Sequence, residues 1–222
     1  MKNRQYFEIH QARYDFILHK ISRLAGAGAS VLDVGCYPMH VFEEMRKRGY
    51  KVEGIASEFE KVEGIKSLNI EKNKWPFASN SFDLVLMTEI VEHLVGNPMV
   101  YLKEAKRVLK RGGKILVTTP NVIRLQNLVM LLMEKNIYFP MGQLRQNIYF
   151  RHNREYAKKE LESILREAGF ETEAGFFIGY PPNREKNKSD NLGLKVIKWI
   201  NYLIQRVWVK RQDSLWAIGY SK

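Results

Sequence analysis

The chain has a single cysteine, Cys36, among its 222 residues. One thiol cannot form an internal disulfide, and no Cys/His pair has zinc-ligand spacing, so neither a disulfide framework nor a structural metal is expected. Long apolar runs are also missing. The longest uncharged apolar stretch near a candidate span, Leu125 to Met133, is too short to cross a bilayer. The N-terminal MKNRQYFEIHQARYDFILHK is broken by Glu8, His10 and Arg13 before an apolar core can form, which excludes a signal peptide and makes a cytoplasmic location the expectation. Repeats and low-complexity tracts are absent. Acidic residues are scarce, 24 against 36 Lys plus Arg, and the net charge of +12 favours anionic partners: nucleotides, phosphorylated lipid carriers, membrane surfaces or RNA. A Lys-rich solvated surface accounts for the same excess.

What is present is an alternation of short apolar runs and helical periods. Ile9, Phe16, Ile17, Ile21 and Leu24 fall near helical spacing, making residues 1–28 a lead-in helix stopped by Ala25-Gly26-Ala27-Gly28. Strand, helix and strand follow at Val31–Val34, residues 41–48 and Lys51–Ile55. A short run at Ser67–Ile70 comes too soon for a full crossover helix. Phe82–Met87 reads as a buried strand and Asn97–Leu109 as a helix stopped by Gly112-Gly113. Lys114–Thr119 is a strand ended by Pro120, Glu155–Glu167 a helix, and Glu173–Ile178 and Leu215–Tyr220 the closing strands. Such alternation argues for a mostly parallel sheet covered on both faces, organised as one domain. Residues 121–153 and 181–212 exceed ordinary loop length and are the expected seats of specificity.

In open parallel sheets the ligand lies beyond the carboxyl ends of the strands, where the first turn presents backbone N–H groups. Here that turn is VLDVGCYPMH, Val31 to His40. Glycine at 35 permits a tight turn, and a carboxylate at 33 can accept from an amine or hydroxyl. The succession of VLDVGC, WPFASNSFDLVLMTEIVEHL, LKEAKRVLKRGGKILVTTPN and HNREYAKKELESILREAGF resembles the class I S-adenosylmethionine-dependent methyltransferases over roughly residues 28–178 plus the final strand. Within them it looks most like the group associated with polysaccharide and glycan biosynthesis. The resemblance implies a doubly wound, Rossmann-like α/β/α sandwich of seven strands, mostly parallel with an antiparallel last strand. It also implies S-adenosylmethionine as cofactor.

Carried over residue by residue, the resemblance places Asp33, Gly35, Cys36 and Tyr37 around the methionine part of the cofactor. This chain has Tyr37 and Met39 where the family usually has further glycines, which narrows the loop but leaves backbone donors. The acid that usually holds the ribose at the end of the second strand is here Ala56, with Glu58 two residues on as a substitute or simply a solvated carboxylate. Asn69, Ile70 and Glu71 fall where a polar side chain meets the adenine amine, and Thr88 at the ligand edge of the fourth strand.

A hydroxyl acceptor benefits from a base, and histidine suits the work. His152 ranks first, with His93 and Glu89 behind. Each has a structural alternative: helix entry for His152, packing for His93, helix capping for Glu89 and Glu92. Tyr138, Phe139, Tyr149 and Phe150, with Arg145, Arg151 and Arg154, suit a phosphorylated or uronic sugar, or instead anchor the insertion to the core. A sugar hydroxyl of a nucleotide-linked, lipid-linked or polymeric glycan is therefore the first expectation. A small aromatic or quinone-like acceptor, suggested by Glu89-Ile90-Val91-Glu92-His93, is the second, and a non-catalytic binding protein of the same fold the third. Nucleic acid is disfavoured because Thr88-Glu89-Ile90-Val91 stands where an Asn-Pro-Pro-Tyr-type motif would be. Residues 192–211 form a basic, Trp-containing amphipathic helix that can lie on the inner face of a membrane, pack on a second copy, or pack on this chain.

Overall fold

The computed structural model describes residues 2–57, 62–138, 151–182 and 192–222. Its centre is a seven-stranded sheet in the order β3-β2-β1-β4-β5-β7-β6. The strands are β1 Ser30–Val34, β2 Lys51–Ala56, β3 Ile65–Ser67, β4 Phe82–Thr88, β5 Leu109–Pro120, β6 Phe170–Phe177 and β7 Ser214–Ser221. Strands β1 to β5 pair in parallel, and β7 runs antiparallel to both β5 and β6, as the family resemblance implies for the last strand.

The helices are α1 Lys2–Leu24, α2 His40–Lys47, α3 Pro98–Val108, α4 Leu125–Leu132, α5 Lys158–Glu167 and α6 Leu192–Val207. Alternate residues of the central strands serve two cores. Leu32, Val34, Val85 and Met87 meet Trp75, Tyr101 and Leu102 of the α3 side with Leu161 and Leu165 of α5. Val31, Leu84, Leu86 and Leu116 meet Ile17 and Ile21 of α1 with Phe42 and Met45 of α2. Burial on both faces explains why the strands read as continuous apolar runs.

Four boundaries differ from expectation, each for a local reason. Strand β3 lies earlier than Ser67–Ile70, since Ile65 pairs with Gly54 and Asn69 already turns the chain by accepting from the Glu71 N–H. Gly112-Gly113 do not stop a helix: α3 ends at Val108 and β5 starts at once, and the glycines lie where its register on β4 shifts between Phe82 and Leu84. At position 113 a Cβ would come within 2.8 Å of the Lys110 carbonyl oxygen. Helix α5 begins at Lys158 rather than Glu155, because Tyr156 first bridges to Asn121 and the Glu160 carboxylate accepts from the Ala157 N–H. Strand β6 starts at Phe170, directly after Gly169 (φ 87°), and pairs there with Ser221.

Because β7 is antiparallel, its first residue Ser214 pairs with Pro120 at the end of β5. The chain leaving β5 into α4 and the chain arriving from α6 therefore meet at the sheet edge where β1, β2 and β4 end.

Candidate active site

That edge opens into a cavity of about 670 Å³, within the range of small-molecule sites. Every site residue predicted from sequence lines it, apart from Glu58, which lies outside the described residues: Asp33, Gly35, Cys36, Tyr37, Asn69, Ile70, Glu71, Thr88, Glu89, His93 and His152. Lining a cavity does not assign a role, and the hydrogen bonds separate these side chains.

The β1 turn is shaped by Gly35 at φ 78°, where a Cβ would come within 2.8 Å of Ile90 Cδ1. The backbone donors expected here are largely engaged. Gly35 N (2.8 Å) and Cys36 N (3.3 Å) both donate to the Ile55 carbonyl, and Met39 N donates to Cys36 O at 2.6 Å. Tyr37 contributes its exposed ring. Cys36 is a packing residue: a Cβ on Gly54 would stand 2.9 Å from its Sγ, and burial followed by the nearby Asp33 pushes its thiol up to about 12. Asp33 is buried, and desolvation lifts its carboxyl to about 7. Ala56 ends β2 on the cavity wall.

Asn69 and Glu71 are also more occupied than the sequence suggests. Asn69 Oδ1 accepts from Glu71 N at 2.9 Å. Glu71 Oε1 accepts from Val95 N (2.6 Å), Gly96 N (3.0 Å) and the Tyr101 hydroxyl (3.1 Å). Burial opposes ionisation of Glu71, but the hydrogen bonds from Gly96, Val95 and Tyr101 outweigh it and hold the carboxyl below its ordinary value. Of the two acceptors expected to meet an adenine amine, Asn69 thus closes its own turn and Glu71 braces the loop before α3.

The opposite wall is polar and densely bonded. Glu89 sits at φ 55°, a left-handed conformation unusual for a side-chain-bearing residue, with its N–H donating to Thr118 O. Its Oε2 accepts from Arg13 Nη1 at 2.5 Å and its Oε1 from the Thr118 hydroxyl at 2.9 Å. Arg13 also donates to the Tyr180 hydroxyl and contacts His10 Nδ1, each at 2.9 Å. Burial and then Arg13 push His10 down to about 3. Glu89 therefore ties α1 to the sheet edge rather than capping the next helix, which Asn97 does through Met99 N.

His152 Nδ1 lies 3.0 Å from Glu155 Oε1. Glu155 Oε2 accepts from Arg124 Nη1 (2.5 Å) and Asn127 Nδ2 (3.0 Å). Burial opposes its charge, yet the bonds from His152 and Arg124 hold its carboxyl down to about 2. An ionised carboxylate only accepts, so Nδ1 of His152 donates to Glu155. His93 shows the same polarity, its Nδ1 donating to the Arg151 carbonyl at 2.9 Å, and burial lowers its pKa. The two imidazole centroids are 5.0 Å apart in an edge-to-face pair.

Beside them lies Glu92, whose Oε2 accepts from the Thr119 hydroxyl while Oε1 has no hydrogen bond among the described residues and stands 3.8 Å from His93 Nε2. Desolvation, then the charge of Glu89, raises its carboxyl well above the ordinary range. Ligand atoms of Glu92, His93 and His152 all lie within 4.8 Å of one another, so these three could hold a divalent cation. Zinc-type spacing could not reveal this group, because His152 stands 59 residues after His93.

Sequence reasoning missed Arg13, Glu92, Tyr180 and Glu155. Arg13 alone left a signal: it sits four residues from both Ile9 and Ile17, a charge within the apolar stripe of α1.

A family profile described as "Methyltransferase domain" matches residues 7–174. A ubiquinone biosynthesis O-methyltransferase of Maricaulis maris is 25% identical over 194 residues, covering 80% of this chain and 70% of that protein. A probable S-adenosylmethionine-dependent methyltransferase of Mycolicibacterium smegmatis is 28% identical over 186 residues, with 78% of this chain and 63% of that one covered. Among solved structures, an S-adenosylmethionine-dependent methyltransferase from Archaeoglobus fulgidus superposes with a TM-score of 0.65 at 18% identity, covering 97% and 98% of the two chains. The glycine-shaped turn after β1, the strand order and the matched span agree: the chain belongs to the methyltransferase domain family and is an S-adenosylmethionine-dependent methyltransferase.

Proposed function

We propose that the protein methylates a hydroxyl of a small aromatic, quinone-like acceptor, with His152 as the base. The observation that carries this reading is the His152–Glu155 pair, anchored by Arg124 and Asn127 and opening into the cavity that the β1 turn also lines. Asp33, Gly35 and Tyr37 would hold the methionine end of the cofactor, with Ala56 beside the ribose. The cavity's volume and the small residues at 35 and 56 leave room for such a ligand. When bound, the cofactor supplies a methyl group activated by its positive sulfur. His152 Nε2 takes the acceptor's hydroxyl proton as the oxygen–carbon bond forms and the carbon–sulfur bond breaks. The base contributes about 10²- to 10⁴-fold, and the walls contribute alignment.

The aromatic acceptor is favoured over a glycan on two grounds. The names of several relatives refer to ubiquinone biosynthesis. Two arginines expected to grip phosphate or carboxylate are engaged within the chain, Arg154 on Glu160 and Arg151 on Asn153. Arg145, Phe139, Tyr149 and Phe150 lie outside the described residues. The test is methyl transfer to a prenylated dihydroxybenzene beside a nucleotide-linked sugar. Methylation of the sugar alone overturns the acceptor, and no transfer with His152→Ala alongside an active parent supports the base.

A second reading rests on Glu92 Oε1. A divalent cation held by Glu92, His93 and His152 would ionise the acceptor hydroxyl in place of the His152 base. Activity that survives exhaustive chelation excludes it.

A further inference from the structure

Helix α6 is turned inside out. Its polar side docks on the chain: Gln205 is buried, accepts from Asp213 N through Oε1, and receives the Gln212 amide on its backbone carbonyl. Its apolar side faces outward, with Val196, Ile197, Ile200, Leu203, Ile204 and Val207 all exposed, the last at 88%. For a helix burying its apolar stripe in its own core, the reverse is required. Trp199 and Trp208 are half exposed beside this stripe, and Trp208 is stacked by Arg211. Helix α4, which contacts α6, extends the surface with exposed Val129, Leu131, Leu132 and Met133. Together these side chains form an apolar face far larger than scattered surface hydrophobes.

The charges along α6 have one sign. Residues 192–211 contain five basic residues and no Asp or Glu. Exposed Lys195 and Arg206 lie on the flank of the stripe beside Trp199, and exposed Lys210 follows the helix. An apolar stripe bordered by cations and tryptophans matches an anionic lipid surface, where apolar side chains enter the acyl boundary and Lys or Arg meet headgroup phosphates. No helix of the described residues is long and apolar enough to cross a membrane, so the contact lies in the interface plane.

We propose that α4 and α6 dock the enzyme on anionic bilayers, with the active-site cavity beside the contact. Asn121, Arg124 and Asn127, at the root of α4, bond to the Lys210 and Gln212 carbonyls and to the Glu155 that holds His152. The docking face and the base are therefore built on one support, and a lipophilic acceptor dissolved in the bilayer would have a short path to the site. The docking itself does not depend on the reaction assigned above.

Flotation of the full chain with phosphatidylglycerol vesicles, with phosphatidylcholine vesicles as the neutral control, tests this directly. The expected result is strong flotation on the anionic vesicles, weak flotation on the neutral ones, and loss at high salt. Ile200→Glu with Leu203→Glu should abolish flotation, and Lys195→Glu or Lys210→Glu should each weaken it several-fold. Thermal unfolding and cofactor binding should stay at parental values, because all four side chains are exposed. Absence of parental flotation overturns the proposal, as does flotation indifferent to the Ile200→Glu, Leu203→Glu pair. Light scattering that shows a dimer dissolved by that pair, without vesicle binding, assigns the face to a second copy and also overturns it. Flotation with no methyl transfer would overturn the acceptor assignment alone.

Discussion

The two walls of the cavity are built on different principles. The wall from β1 and β2 is quiet: a glycine turn, an alanine where the family usually has an acid, and one buried carboxyl, Asp33. The wall from β4, β5 and the segment before α5 is a bonded network of Arg13, Glu89, Thr118, Glu92, Thr119, His93, His152, Glu155 and Arg124. The first wall provides shape and receives a ligand that brings its own reactivity. The second holds fixed tautomers and ionised partners, as proton handling demands. Substitutions in the first wall should therefore change cofactor binding, and those in the second should change turnover.

Gly35→Val breaks the quiet wall most severely. It combines a positive φ with a Cβ that meets Ile90, which costs on the order of 3 kcal/mol and a fall in Tm of about 6–12 °C. Cofactor binding should disappear in calorimetry. Glu155→Gln tests the other wall, lowering kcat about 10- to 100-fold with little change in cofactor affinity, since the bonds it weakens, to His152 and to Arg124, lie away from the β1 turn. Single-turnover kinetics beside a binding titration separates the two.

Asp33 gives a pH signature. Its carboxyl is raised to about 7 in the fold, so the folded state holds a proton that the unfolded chain releases earlier. That contribution to stability is complete below the ordinary carboxylate pKa and is lost as pH rises from about 4 to about 7, by at most a few kcal/mol. Asp33→Asn should flatten denaturant-unfolding stability across that window. In the parent, cofactor binding should strengthen toward pH 7 as Asp33 ionises to meet the ligand's ammonium. The smallest effect is a gain: Ala56→Asp supplies the missing ribose partner and should tighten cofactor binding about tenfold, the value of one charge-assisted hydrogen bond. Unchanged affinity would show that the quiet wall is complete without that acid.

The sheet was legible in the sequence because burial on both faces leaves continuous apolar runs, and Asp33-Val34-Gly35 marked the ligand edge. Boundaries failed where tertiary pairing overrode local signals, as when Gly112-Gly113 joined a strand irregularity instead of ending α3. The individual site residues were found as neighbours of strand ends, but their bonds were not. No local pattern announces that Asn69 and Glu71 are spent on a loop, or that Arg13 reaches Glu89 across 76 positions. Amphipathicity located α6 correctly, and only the structure shows that its polar side is the one that docks.

The proposed base, His152, is held by Glu155 and would remove the acceptor proton. The most direct measurement is kcat of His152→Ala with a prenylated dihydroxybenzene, alongside its dissociation constant for S-adenosylmethionine. The expected result is a loss of about 10²- to 10⁴-fold in kcat with cofactor affinity unchanged. Parental turnover in that variant, or a loss wholly explained by weaker cofactor binding, would contradict it.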